Sequence, residues 1–141
     1  MISFVEYGPS LIAGLTLLAR LLLSLVFLDS AWHKLNHWQD SVTEVRALKL
    51  PHPQLMVALT ITAQALGGLA VATGAGARVG ALILAGFTLL ATFLGHNFLK
   101  LAGKARINQE TTFLEHMSIV GGMLMLAVCG PGAWSLHILF E

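Results

Sequence analysis

Apolar residues in this chain come in long runs rather than alternating with polar ones. Four runs stand out, near residues 11–33, 54–74, 78–99 and 113–134. Each reaches the roughly 20 residues needed to cross ~30 Å of hydrocarbon at ~1.5 Å per residue. No segment shows the sustained period-two alternation of a membrane barrel. The pattern predicts an all-α integral membrane protein, a four-transmembrane-helix bundle occupying residues 1–141 as a single domain.

The first run carries a polar strip. In LIAGLTLLARLLLSLVFLDSAWHK, residues 11–34, helical steps place Thr16, Arg20, Ser24, Phe27, Ala31 and Lys34 on one face. Such a strip cannot point at lipid, so it must meet other helices, a water-filled cavity or a ligand. Insertion still balances. The Leu, Ile, Val and Phe of residues 11–28 contribute roughly −0.3 to −0.6 kcal/mol each, against about +2.5 to +3.5 kcal/mol for each of Arg20 and Asp29 at the helix centre.

Between the first two runs, residues 35–53 (LNHWQDSVTEVRALKLPHP) form the longest polar connection. Val42, Val45 and Leu48 mark a short amphipathic piece at the interface, where Trp32 and Trp38 also belong. Pro9 or Ser10 would open the first helix and Pro53 the first turn of the second. Ala63 and Gly67 form a small-xxx-small pair that permits close helix approach, and Gly76 and Gly80 a weaker one. Residues 101–112 (LAGKARINQETT) read as a polar loop.

Composition agrees with a membrane protein: 11% of residues are charged, against about 25% in soluble domains, and 56% are hydrophobic. A net charge of +1 says nothing about nucleic acid, and no basic cluster suggests it, so no nucleic-acid partner is expected. The single Cys129 excludes an intramolecular dithiol shuttle, which needs two thiols. The first ten residues lack Lys and Arg and include Glu6, so the first span is expected to stay as an anchor rather than be cleaved. Lys34, Arg46, Lys49, Lys100, Lys104 and Arg106 lie in the two longer connections, with Arg78 on the other side. This bias orients the long loops toward the cytoplasm.

Several residues taken together resemble the DoxX family of small bacterial membrane proteins, of the YphA-type inner-membrane kind. They are Arg20, Phe27 and Lys34, then Leu50-Pro51-x-Pro53, Gly67-Gly68 and Gly74. Phe113, Gly121-Gly122, Gly130-Pro131-Gly132 and Ser135-Leu136 continue the series. The resemblance implies a four-helix bundle in the plasma membrane. Relatives include the membrane subunit of a thiosulfate:quinone oxidoreductase and membrane partners of redox-stress enzymes, and distant ones act as chaperones or cargo receptors. This chain departs from the family pattern at Ala31, Gln64, Glu115-His116 and His137. Gln64 stands where many members carry Glu, so it can hydrogen-bond to Arg20 but not pair with it as an ion.

Two constellations could carry chemistry. The first is Arg20 with Gln64, Ser24 and Thr60 as a ligand-binding group. If the first two spans pack antiparallel, Gln64 falls at the depth of Arg20. Asp29 cannot neutralise Arg20, because nine residues place it on the opposite face and ~13 Å along. Arg20 is then either a structural tie between helices or a cation that orients a quinone oxygen or small anion. The second constellation is a polar cluster at the cytoplasmic ends: Asp29, His33, Lys34, His96, Asn97, Glu115 and His116. It reads as a proton-handling site or as ordinary interfacial ion pairs such as Lys34 with Glu115. His33 and His37 are i, i+4, yet no established metal-site spacing follows, so no metal is assigned. The favoured role is a membrane subunit or accessory of a redox or stress-response system, with a protein partner from that system. Quinone is its candidate cofactor, and a homo-oligomer is left open. The alternative is a non-enzymatic carrier, chaperone or small-solute transporter using the polar strip.

Overall fold

The computed structural model describes residues 8–95 and 102–136. Five helices follow one another: α1 (Pro9–Asn36), α2 (Trp38–Ala47), α3 (Pro53–Thr73), α4 (Ala77–Gly95) and α5 (Gly103–Cys129). All but α2 are long and apolar enough to span a membrane. With their backbone bonds satisfied internally, such helices need no water in the hydrocarbon.

Proline opens α1 and α3, where a missing N–H costs nothing. Glycine closes α3 and α5: Gly74 (φ 85°) and Gly130 (φ 85°) donate their N–H groups to Ala70 and Leu126 carbonyls. Arg78, in the first turn of α4, donates to the carbonyls of Ala127 (3.2 Å) and Val128 (3.1 Å). Its charge thereby also meets the negative end of α5.

The fourth apolar run begins and ends differently from the expectation. Residues 103–112 are not a loop but the first turns of α5, and the helix stops at Cys129 rather than near 134. Hydropathy conceals this extension, because Lys104, Arg106, Gln109 and Glu110 are polar yet good helix formers. Arg106 and Glu110, 2.9 Å apart, add an i, i+4 pair. At the other end Gly130-Pro131-Gly132 breaks the helix, and residues 130–136 turn back over the bundle. α2 is the amphipathic piece expected from its pattern: Ser41 and Val42 are buried, Val45 half-buried, and Leu48 lies exposed beyond its end.

Packing runs α1 on α3, α3 on α4 and α4 on α5. α5 approaches α1 where Gly122 faces Leu23. Phe27, Val71, Ala81, Leu84, Val120 and Met123 make the central core. Glycines set the approach distances. A Cβ on Gly67 would sit 2.8 Å from Leu84 of α4, and one on Gly80 would sit 3.1 Å from the Gly67 carbonyl oxygen. A Cβ on Gly68 would meet Leu28 of α1 at 2.9 Å. These contacts hold α1, α3 and α4 in one register, which places the polar groups described next.

Candidate functional site

The polar strip of α1 faces inward. Arg20, Ser24, Phe27 and Ala31 are buried, and Thr16 and Lys34 half-buried. Arg20 is only 1% exposed. Its guanidinium meets the end of α3 and the returning segment: Nη2 donates to the carbonyl oxygen of Trp134. Gly74 lies so close that a Cβ there would stand 2.2 Å from Nη1 and 2.3 Å from Ser135 Cβ. Segment 130–136 is fastened over this point. Leu136 N–H donates to the Thr73 carbonyl (2.9 Å), Gly132 packs on Thr16, and the Trp134 ring faces Gly14. Ser135 Oγ turns back to the Gly132 carbonyl (2.8 Å).

Among the described residues no carboxylate joins this group. Arg20 Nε and Nη1 are buried without a hydrogen-bond partner. Guanidinium offers five N–H donors and no acceptor, so one carbonyl leaves most of its capacity unused. The role of Trp134 had no signal in the sequence, since any residue can supply a backbone carbonyl. Gly74, Gly130-Pro131-Gly132 and Ser135 stand out in the sequence as a series, but their convergence on Arg20 depends on register.

Gln64 does not lie beside Arg20. The level of Arg20 on α3 is Gly74, ten residues from Gln64 and therefore ~15 Å away along the helix. The expected equal depth assumed that both spans begin at one plane, whereas Gly68 docks on Leu28 and slides α3 toward the other end of α1. Gln64 is 5% exposed, and its amide lies 3.2 Å from Ser30 Oγ. Lys34 Nζ donates to the same hydroxyl. Ser30 escaped the strip because it is ~80° from the Arg20 direction at ~100° per residue, although its i−4 spacing to Lys34 marks it as a partner. Ser24 Oγ returns to the Leu21 carbonyl (3.0 Å), and Thr60 is half-buried on α3.

The proposed cytoplasmic cluster divides. Asp29 and His33 are exposed, and His33 stacks on His37 with ring centroids 4.3 Å apart. Glu115 is exposed and makes no ion pair with Lys34; the carboxylate whose charge acts on Lys34 is Glu44 of α2. His116 Nδ1 lies 2.8 Å from the hydroxyl of buried Thr92, which is itself 2.6 Å from the Thr88 carbonyl. Because the single hydroxyl proton goes to that carbonyl, Nδ1 must be the protonated nitrogen facing Thr92. His96 and Asn97 lie outside the described residues. Among the described residues no group of three or more His, Cys, Asp or Glu could hold a metal ion.

Comparison with known proteins decides the family. The DoxX family profile matches residues 15–97, from the polar strip through α4. The chain belongs to the DoxX family. Similar DoxX-like relatives include inner membrane protein YqjF of Escherichia coli K12, 36% identical over 126 residues that cover 89% of this chain and 91% of YqjF. Inner membrane protein YphA of the same organism is 28% identical over 122 residues, covering 86% and 87% respectively. No solved structure matches this chain. With its apolar spans, this DoxX-family chain is a multi-pass inner-membrane protein.

Proposed function

We propose that this DoxX-family protein is a membrane subunit or accessory of a redox or stress-response system, and that Arg20 orients a quinone oxygen or small anion. One observation carries the reading: a guanidinium 1% exposed, with no carboxylate beside it among the described residues and with Nε and Nη1 lacking an acceptor. Burying a charge without full hydrogen bonding costs several kcal/mol by rough estimate, so an acceptor oxygen at this position would be bound with substantial driving force. Among the described residues none supplies that oxygen to Nε or Nη1, and a ligand is the source on this reading. On this reading the ligand enters where segment 130–136 closes over Gly74 and Arg20.

The transport alternative is less favoured. A wet path along the strip would leave Arg20, Ser24, Phe27 and Ala31 accessible, and all are buried.

The test is extraction of purified protein for quinones, together with quinol oxidation by membranes carrying wild type or Arg20→Leu. The proposal expects bound quinone in wild type, lost in Arg20→Leu together with a drop in oxidation rate. Absence of quinone, with oxidation unchanged by the substitution, removes the redox role.

A further inference from the structure

The face of α1 turned away from Arg20 carries a second pattern. Leu15, Leu18, Leu22, Leu25, Asp29 and Trp32 recur at alternating steps of three and four, and all are exposed. At ~100° per residue Leu22 points ~160° from Arg20, so this seam lies opposite the buried strip. A repeat averaging 3.5 residues is the heptad along which two helices supercoil. We propose that α1 pairs along this seam with α1 of a second copy of this chain, in a parallel two-fold dimer in which each Asp29 is met by the partner's Trp32.

The shape of the outer face fits a facing helix. Leu22, Leu25, Val26 and Asp29 line an open groove there. Their spacing, i, i+3, i+4 and i+7, is that of the four-residue hole that receives one side chain of a facing helix. In a parallel pair of matched register the partner's Leu25 fills this hole. Leucines alone would not select protein over lipid, because lipid tails are as apolar as leucine.

Asp29 makes that selection. Ionisable side chains on membrane helices almost always face protein or a water-filled cavity. Asp29 faces outward, ~4.5 Å deeper than Trp32, whose ring marks the membrane–water interface. Among the described residues it has neither a hydrogen bond nor an ion pair. Its short stem cannot snorkel to water as a lysine does. In the register that seats Leu25, each Asp29 enters a hole bounded by the partner's Leu25 and the partner's Trp32. Trp32 is 66% exposed, and an indole N–H is a donor without an acceptor, which matches a carboxylate. The two carboxylates share a layer and repel, and two indole donors related by the two-fold axis oppose that repulsion. A two-fold interface must be self-complementary. This seam is, because it holds the acceptor and the donor one turn apart.

The experiment uses full-length protein in membranes. In a Cys129→Ser background, Leu22→Cys and Leu25→Cys put thiols on the seam, and Leu66→Cys and Leu90→Cys put them on exposed faces of α3 and α4. Mild oxidation is expected to turn the seam variants into covalent dimers and to leave the α3 and α4 variants monomeric. In a second arm, protein labelled at the exposed Cys129 is diluted in liposomes, and energy transfer between copies measures the dimer. Asp29→Leu and Trp32→Phe should each weaken it about tenfold, the loss of two modest interhelical hydrogen bonds. Asp29→Asn keeps an acceptor oxygen and should hold the dimer. Equal cross-linking at seam and control positions overturns the proposal, as does protein that is monomeric at every dilution. Seam variants that cross-link only to a different protein overturn it as well, as does wild-type association by Asp29→Leu or Trp32→Phe. Arg20→Leu leaves these readouts unchanged, so the dimer and the site at Arg20 fail independently.

Discussion

Substituting Gly74 by alanine tests whether segment 130–136 and Arg20 really close on the end of α3. Two costs act together. At φ 85° the backbone lies in the left-handed region, where a Cβ costs roughly 1–2 kcal/mol. That Cβ would also stand 2.2 Å from Arg20 Nη1, 2.3 Å from Ser135 Cβ and 2.9 Å from Ser135 Cα. The arginine tip could swing away, but the Ser135 backbone is held by the Leu136–Thr73 hydrogen bond. Overpacking of this kind typically costs about 1–3 kcal/mol. Gly74→Ala is therefore expected to destabilise the bundle by about 2–5 kcal/mol, the sum of these two ranges. The assay is equilibrium unfolding in mixed micelles with increasing sodium dodecyl sulfate, followed by helix circular dichroism and by Trp134 fluorescence in a Trp32→Phe, Trp38→Phe background. Fluorescence should report loosening of the strap before the helices melt. Gly86→Ala is the internal control. No atom lies within 4 Å of its added Cβ, so the higher helix propensity of alanine should stabilise by up to about 1 kcal/mol. Equal unfolding curves for Gly74→Ala and wild type would refute the placement of Arg20 against α3.

Two further substitutions probe the scaffold by the same measurement. Gly67→Ala drives a Cβ to within 2.8 Å of Leu84 and should cost about 1–3 kcal/mol, while Gly121→Ala, which faces open space, should be neutral or stabilising. Arg78→Met removes the donor to the Ala127 and Val128 carbonyls and should cost about 1–2 kcal/mol, with early loss of structure at the end of α5.

Periodicity made the inward strip legible, because lipid forbids a face with Arg20 and Lys34. Register was not legible in the same way. Gln64 and Arg20 are both polar positions within apolar spans, and equal depth followed only from aligning the spans by hydropathy. The glycine at position 68 overrides that alignment by docking on Leu28, a contact set by shape. The first turns of α5 were hidden because hydropathy measures membrane fit and not helix propensity. Trp134 was hidden because its contribution is a backbone oxygen. Ser30 was within reach: a hydroxyl four residues before a lysine on a membrane helix is a standing candidate for its partner.

Arg20 has unused hydrogen-bonding capacity, which we propose a ligand oxygen takes up. Trp134, whose carbonyl Arg20 now holds, reports on that site directly. In the Trp32→Phe, Trp38→Phe background, titration with a short-chain quinone should quench Trp134 fluorescence along a saturable curve. In Arg20→Leu the apparent affinity should fall at least about tenfold, as expected when a charged hydrogen-bond donor is removed. Linear, unsaturable quenching that is the same in both proteins would rule out a ligand oxygen at Arg20.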